Sequence, residues 1–196
     1  MRKVLVVGAG PAGMMAAAAA AENGGNVTLL EKMPRVGRKM MITGKGRCNV
    51  TSADDVPEII KNVVGNGRFL NSCIRAFDNS DVINFFEKLG VPLKTERGNR
   101  VFPQSDHAVD VVDAMLHHLR DCSAEVRTNT AVRKLILEDG SVHGVCLSDG
   151  SCLAADAVIL ATGGASYPAT GSTGDGYALA RAAGHTVTPI FPALVP

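Results

Sequence analysis

The sequence has no excess of charge of either sign: twenty Lys and Arg stand against nineteen Asp and Glu, a formal net charge of +1. No global field therefore draws in nucleic acid or an anionic membrane, so any partner must be recognised at a local site. The five cysteines (Cys48, Cys73, Cys122, Cys146, Cys152) are odd in number and form no C-x-x-C, which fits free thiols in a reducing cytoplasm better than a disulfide framework. A membrane span needs about 20 uninterrupted apolar residues. The alanine-rich stretch after Met1-Arg2-Lys3 is broken at its middle by Gly8, Gly10, Pro11 and Gly13, which argues against a span and equally against a signal peptide. There is no G-x-S-x-G nucleophile elbow, no internal repeat and no low-complexity tail. What is present, 196 residues of which 46% are hydrophobic, suffices for one or two globular domains. The expectation is a cytoplasmic protein with no membrane and no nucleic-acid partner.

Lys3 to Val7 (KVLVV) has the β-branched character of a strand buried on both faces of a parallel sheet. Pro11 suits the first turn of a following helix, Met14 to Glu22 is built of strong helix formers, and Asn23-Gly24-Gly25 stops it. Val27 to Glu31 reads as a second strand, completing a βαβ unit. Lys32 to Ser52 is a basic, glycine-rich loop without sustained period, and Pro57 to Leu89 predicts two or three helices broken at Gly65-Asn66-Gly67. Asp106 to Leu119 is an amphipathic helix that Ser105 or Asp106 can cap. Glu125 to Thr128 is a third parallel strand. Val132 to Glu138, Val142 to Ser148 and Cys152 to Ala154 then form an antiparallel meander turned at Asp139-Gly140 and Asp149-Gly150. Ala157 to Ala161 returns to the main sheet, and Gly174 to Ala183 is a last helix. The fold class is α/β: a Rossmann-like parallel sheet with a helical insertion over about 54–121 and a small β-meander over about 132–155.

Gly8-Ala9-Gly10-Pro11-Ala12-Gly13 is a G-x-G-x-x-G sequence, a weak signal alone but specific between a predicted strand and a predicted helix. Gly8 serves the tight turn, Gly10 the close approach of backbone to a pyrophosphate, and Gly13 the packing of helix on strand. Glu31, 18 residues after Gly13, is placed to accept a ribose hydroxyl. The helix start offers free N–H groups and a positive dipole end to phosphate. Past Glu31 the loop supplies Lys32, Arg35, Arg38, Lys39, Lys45 and Arg47. Arg35 and Lys45 read equally well as a solvated face, whereas Arg38 and Lys39 leave the strand next to a bound nucleotide. The run Thr43-Gly44-Lys45-Gly46-Arg47-Cys48-Asn49 can present several backbone N–H groups to a ligand, so Thr43, Gly46 and Asn49 join the candidate contacts. Cys48 reads as a small buried residue rather than a redox group, and the adjacent His117 and His118 point in different directions. No metal site is expected, and no residue presents itself as catalytic.

With these motifs in place, the chain resembles the BaiN and aminoacetone oxidase type of flavoprotein, in a larger group that includes fumarate reductases. The matching residues are the glycine fingerprint with Glu31-Lys32, Gly37-Arg38-Lys39 through Gly46-Arg47-Cys48-Asn49, Arg100-Val101-Phe102-Pro103 with Ser105, and Ala161-Thr162-Gly163-Gly164 leading to Thr170-Gly171-Ser172-Thr173-Gly174-Asp175-Gly176-Tyr177. The resemblance implies FAD as cofactor, with Val132 giving its backbone to the adenine, Ala161, Thr162 and Gly163 passing near the nucleotide, and Gly174 and Asp175 opening a helix beside it. Lys45 stands where glycine is expected. Relatives should run to roughly twice this length, with a substrate domain after a Pro-Ala-Leu-Val-Pro-like segment and a C-terminal return over the flavin, neither of which is expected within this chain. The implied activity is that of a flavin-dependent oxidoreductase acting on a small molecule, with NAD(P)H a candidate donor. An NAD-dependent dehydrogenase, a fumarate-reductase-like dehydrogenase and a non-enzymatic nucleotide-binding fragment are the alternatives. The meander and the Ala-Thr-Gly-Gly strand end count against the first of these.

Overall fold

The computed structural model describes residues 1–191; the segment 192–196, where the resemblance sets the approach to a substrate domain, lies outside the described residues. In chain order the strands are β1 (Lys3–Val7), β2 (Asn26–Leu30), β3 (Thr51–Ser52), β4 (Leu93–Glu96), β5 (Arg100–Pro103), β6 (Glu125–Arg127), β7 (Val132–Glu138), β8 (Ser141–Leu147), β9 (Cys152–Ala154) and β10 (Ala157–Leu160). The helices are α1 (Pro11–Glu22), α2 (Arg38–Ile42), α3 (Val56–Lys61), α4 (Asn71–Ala76), α5 (Asn79–Lys88), α6 (Ala108–Asp121) and α7 (Asp175–Ala182). They fall into two compact units, one of Met1–Lys39 and Met115–Thr188, the other of Met40–Ala114 with 189–191. Among the described residues no helix is long and apolar enough to cross a membrane.

The first unit is a Rossmann-like α/β layer. Its parallel sheet has the order β10-β1-β2-β6, so β1 is central, hydrogen-bonded to β10 on one side and β2 on the other. That position explains the apolar run of β1: Leu5, Val6 and Val7 are all buried. α1 buries Gly13, Met14, Ala17 and Ala18, and the small Gly13, Ala17 and Ala18 let the helix lie close to strands. Beyond the sheet, β7-β8-β9 form the predicted antiparallel meander. Leu5, Val7 and Leu30 of the parallel sheet share one core with Val145, Leu147 and Ala155, against which Val132, Leu135 and Leu153 pack. Asp139 and Gly140 both have positive φ, as a two-residue hairpin turn requires.

One expectation about this unit fails. In the β8–β9 register Cys146 lies opposite Cys152, and the two form a disulfide; Cys48, Cys73 and Cys122 are the free thiols. Judging cysteines by count and by C-x-x-C spacing overlooked that a hairpin sets residues opposite each other.

The second unit is not only helical. It holds a small antiparallel sheet of order β3-β5-β4 beside α3, α4 and α5. Asp55 caps α3 by accepting from the Glu58 N–H, and Asp78 and Asp81 form a reciprocal capping box on α5. β4 and β5 had no counterpart in the sequence reading, and the loop expected over 32–52 contains α2 and a 3-10 turn, Thr43–Gly46. α6 begins two residues later than predicted. Asp106 has φ +59°, and its carboxylate is engaged by Lys94 and Arg47.

Candidate functional site

The first unit contains a cavity of about 470 Å³, within the range of small-molecule and cofactor sites. Its lining comes from the carboxyl ends of β1, β2 and β10 and the segments that follow them, where ligands of open parallel sheets bind. Gly8 to Ala12, Glu31, Lys32, Arg38, Lys39, Val132 and Ala161 to Gly163 line it, together with Asp175.

The three fingerprint glycines have separable reasons to be glycine. Gly8 has φ +101°, and a Cβ there would stand 2.5 Å from the Ala161 carbonyl oxygen. A Cβ on Gly13 would collide with the Gly8 carbonyl oxygen, so Gly13 is about packing and does not line the cavity. Gly10 is different: a Cβ there would meet nothing within 4 Å, yet the residue lines the cavity. Its missing side chain leaves room for a ligand rather than for protein. Gly10 is also the N-cap of α1 and offers no side-chain cap, and Pro11 follows it, so the first-turn N–H groups of α1 are not satisfied by a side chain.

Glu31 binds the turn to the second strand. Its Oε2 accepts from the Ala9 N–H and its Oε1 from the Met33 N–H, both at 2.8 Å. Each carboxylate oxygen keeps capacity for a further donor.

Lys32 Nζ donates to Thr173 Oγ1 at 2.6 Å and pairs with Asp175 Oδ2. Burial pushes the Asp175 carboxyl up, but Lys32 and the Thr173 hydroxyl outweigh it and hold the group below the usual carboxylate range. Such a pair stabilises the fold above the unfolded carboxyl's value of about 4 and is lost as pH falls through the lower folded value. The stability advantage of wild type over Asp175→Asn should therefore be constant near neutrality and decline progressively once pH falls below about 4 in melting profiles; an advantage that grows with acid would refute the pairing. Arg38 and Lys39 donate to the Ala169 and Ser166 carbonyls, 2.8 and 3.2 Å. Carbonyls hold these side chains without neutralising them, so both bring positive charge to the cavity wall.

Gly174 adopts φ +83° as N-cap of α7 and does not line the cavity, although Asp175 and Gly176 do. Thr43, Gly46 and Asn49 belong to the second unit. There Lys45 takes φ +60°, so it adopts the left-handed conformation expected of glycine at that place. Cys48 is buried, and burial pushes its thiol up despite a hydrogen bond with Thr43, which leaves it a poor nucleophile. Arg47 spans Glu96 and Asp106 and stacks over the Phe102 ring at 4.0 Å.

The sequence reading did not assign Thr130, Ser172 or Tyr177 to the site, though all three line the cavity. Ser172 is buried, and a Cβ on Gly163 would stand 2.9 Å from its Oγ. Two signals pointed there: Thr130 lies two residues before Val132, and Ser172 and Tyr177 lie in the glycine-rich stretch around Asp175. Arg35, read equally well as solvated, also lines the cavity.

A cradle left open at Gly10, a helix N-terminus behind it, an acidic acceptor and a basic rim fit the adenosine-diphosphate half of FAD. Comparison with known proteins agrees. The chain is 36% identical to the 3-dehydro-bile acid delta(4,6)-reductase of Clostridium scindens, over all of this chain and 47% of that protein. It is 28% identical to the ribosomal RNA dihydrouridine synthase of Escherichia coli, over 98% of this chain and 47% of that one. The chain thus spans about half the length of these curated relatives. A flavocytochrome c3 fumarate reductase in its open conformation superposes with a TM-score of 0.69 at 28% identity, over 93% of this chain and 40% of that chain. Residues 2–190 match the HI0933-like protein Rossmann domain. The chain belongs to that HI0933-like family and carries an FAD-binding Rossmann domain homologous to those of flavin-dependent oxidoreductases.

Proposed function

We propose that the cavity of the first unit holds the adenosine-diphosphate half of FAD, and that the whole protein is a flavin-dependent reductase that saturates a carbon–carbon double bond in a small molecule. The observation that carries the first part is Gly10, open where a Cβ would stand yet lining the cavity at the start of α1. In this reading the first-turn N–H groups of α1 face the pyrophosphate, Glu31 accepts a ribose hydroxyl, Val132 borders the adenine and Arg38 and Lys39 complement phosphate charge. Ala161 to Gly163, Asp175 and Gly176 line the same cavity. When bound, the flavin supplies the two-electron chemistry, and these residues hold and orient it. NAD(P)H is the proposed donor.

The second part rests on what the relatives' names share. A delta(4,6)-reductase, a dihydrouridine synthase and a fumarate reductase each add hydrogen across a carbon–carbon double bond. RNA is the second reading of the substrate, because one relative is named for ribosomal RNA, although the balanced charge of this chain gives it no electrostatic support. A cytoplasmic setting is proposed on the three free thiols, with the Cys146–Cys152 bond standing against it.

The test is the absorption spectrum of the purified chain after incubation with FAD and removal of free cofactor by gel filtration. Retained and perturbed flavin absorption is expected. A folded but colourless protein would overturn the proposal that this cavity holds the cofactor.

A further inference from the structure

Outside the nucleotide cavity, the first unit gathers three ligating side chains of different chemistry. Glu22 ends α1, His118 lies in the last turn of α6 and Cys122 follows that helix by one residue. His118 Nε2 is 3.2 Å from Glu22 Oε1, and Cys122 Sγ is 3.9 Å from that same oxygen and 4.0 Å from Nε2. The spacing of His118 and Cys122, four residues apart, puts them on one helix face.

These separations are close to the edges of a coordination tetrahedron. Zinc binds nitrogen and oxygen at about 2.0–2.1 Å and thiolate sulfur at about 2.3 Å, so tetrahedral edges run about 3.4–3.6 Å. Each observed separation differs from that by only a few tenths of an ångström. The electrostatics agree with the geometry. α1 and α6 both bring their C-terminal ends here, and the negative end of a helix dipole favours a cation. Neither Glu22 nor Cys122 has a lysine or arginine partner among the described residues. Access is built in as well, since the His118 side chain is 15% exposed and that of Glu22 52%. A helix-to-helix Glu–His ion pair alone would need no thiol within ligand distance of both partners.

We propose that Glu22, His118 and Cys122 bind one zinc-type divalent ion, with water completing the tetrahedron, and that the ion ties the C-terminal end of α1 to that of α6. The sequence reading excluded a metal because it weighed His118 against His117, whereas the partners come from another helix and from four residues on.

The experiment is a Zn²⁺ titration of the chelator-stripped chain, without reductant, in competition with a chromophoric chelator, followed by Co²⁺ as a spectroscopic stand-in. Wild type is expected to bind one equivalent at micromolar affinity or tighter, to show a thiolate-to-cobalt charge-transfer band and to melt at higher temperature with Zn²⁺. Cys122→Ser and His118→Ala should each weaken binding at least tenfold. The isosteric serine variant, which should fold, should also lose the charge-transfer band. Cys73→Ser and His117→Ala should match wild type. Absence of a one-equivalent site, or a site indifferent to Cys122→Ser, would overturn the proposal.

Discussion

Gly10→Ser should leave the melting temperature unchanged or slightly raised while abolishing most FAD binding. Two properties of the residue pull in opposite directions. As N-cap of α1 it has φ −78° and ψ −176°, extended backbone that serine adopts without strain, and serine is a better cap than glycine. The Ser Cβ meets no protein atom within 4 Å, so the fold gives no reason to reject it. The side chain instead fills the space proposed for the pyrophosphate, and its hydroxyl competes for the first-turn N–H groups. Losing two charge-assisted hydrogen bonds, each worth about 1.5 to 3 kcal/mol, weakens FAD binding by about 3 to 6 kcal/mol, a hundredfold or more. Gly13→Ala should do the reverse: its Cβ strikes the Gly8 carbonyl oxygen, so the melting temperature should fall. Calorimetric titration with FAD beside circular-dichroism melting separates the two effects. A serine variant that keeps wild-type affinity would show that the phosphates do not sit on this turn.

That separation of roles was legible in the sequence because the motif couples three local demands to one another: a buried β-branched strand, a positive-φ turn and a helix start. The strand–helix–strand unit from β1 to β2 and the meander were readable for the same reason, since each is closed by glycine-containing turns, Gly24-Gly25 in the first and Asp139-Gly140 in the second, whose backbone needs are local. Other features depend on tertiary pairing. β4 and β5 are four residues each, charged at their ends, and turn at Gly98-Asn99 where both φ are positive; their apolar residues Leu93, Val101 and Phe102 are too few for a period. The Cys146–Cys152 bond was not readable from the predicted turn, because a two-residue turn at Asp149-Gly150 sets Cys152 opposite Leu147, whereas the hairpin closes over Ser148-Asp149-Gly150 and sets it opposite Cys146. Counting cysteines does not use that geometry. Among site residues, those fixed by backbone demands were found, while Ser172 and Tyr177, beside the positive-φ residues Gly171 and Gly174, and Thr130, two residues before Val132, reach the cavity through tertiary placement that their neighbours only hint at.

Glu31→Ala, unlike Gly10→Ser, should cost stability and cofactor affinity together. The carboxylate does structural work before any ligand arrives: it takes the N–H of Ala9, a fully buried residue of the turn, and that of Met33, both at 2.8 Å. Alanine leaves both donors without this acceptor, at about 1 to 2 kcal/mol each where water can reach them in part. At this chain length a loss of 2 to 4 kcal/mol lowers the melting temperature by roughly 5 to 15 °C. The ribose contact proposed for Glu31 is lost as well, adding about 1.5 to 3 kcal/mol, so Kd for FAD should rise ten- to a hundredfold or somewhat more. Glu31→Gln refines the argument, because an amide has one oxygen and turns its NH₂ toward the second N–H, so that one of the two backbone bonds becomes donor against donor. Its melting temperature should fall between those of wild type and Glu31→Ala. Melting curves and FAD titrations of the three proteins decide the matter. Unchanged melting with weakened binding would confine Glu31 to the ribose, and weakened melting with unchanged binding would confine it to the turn.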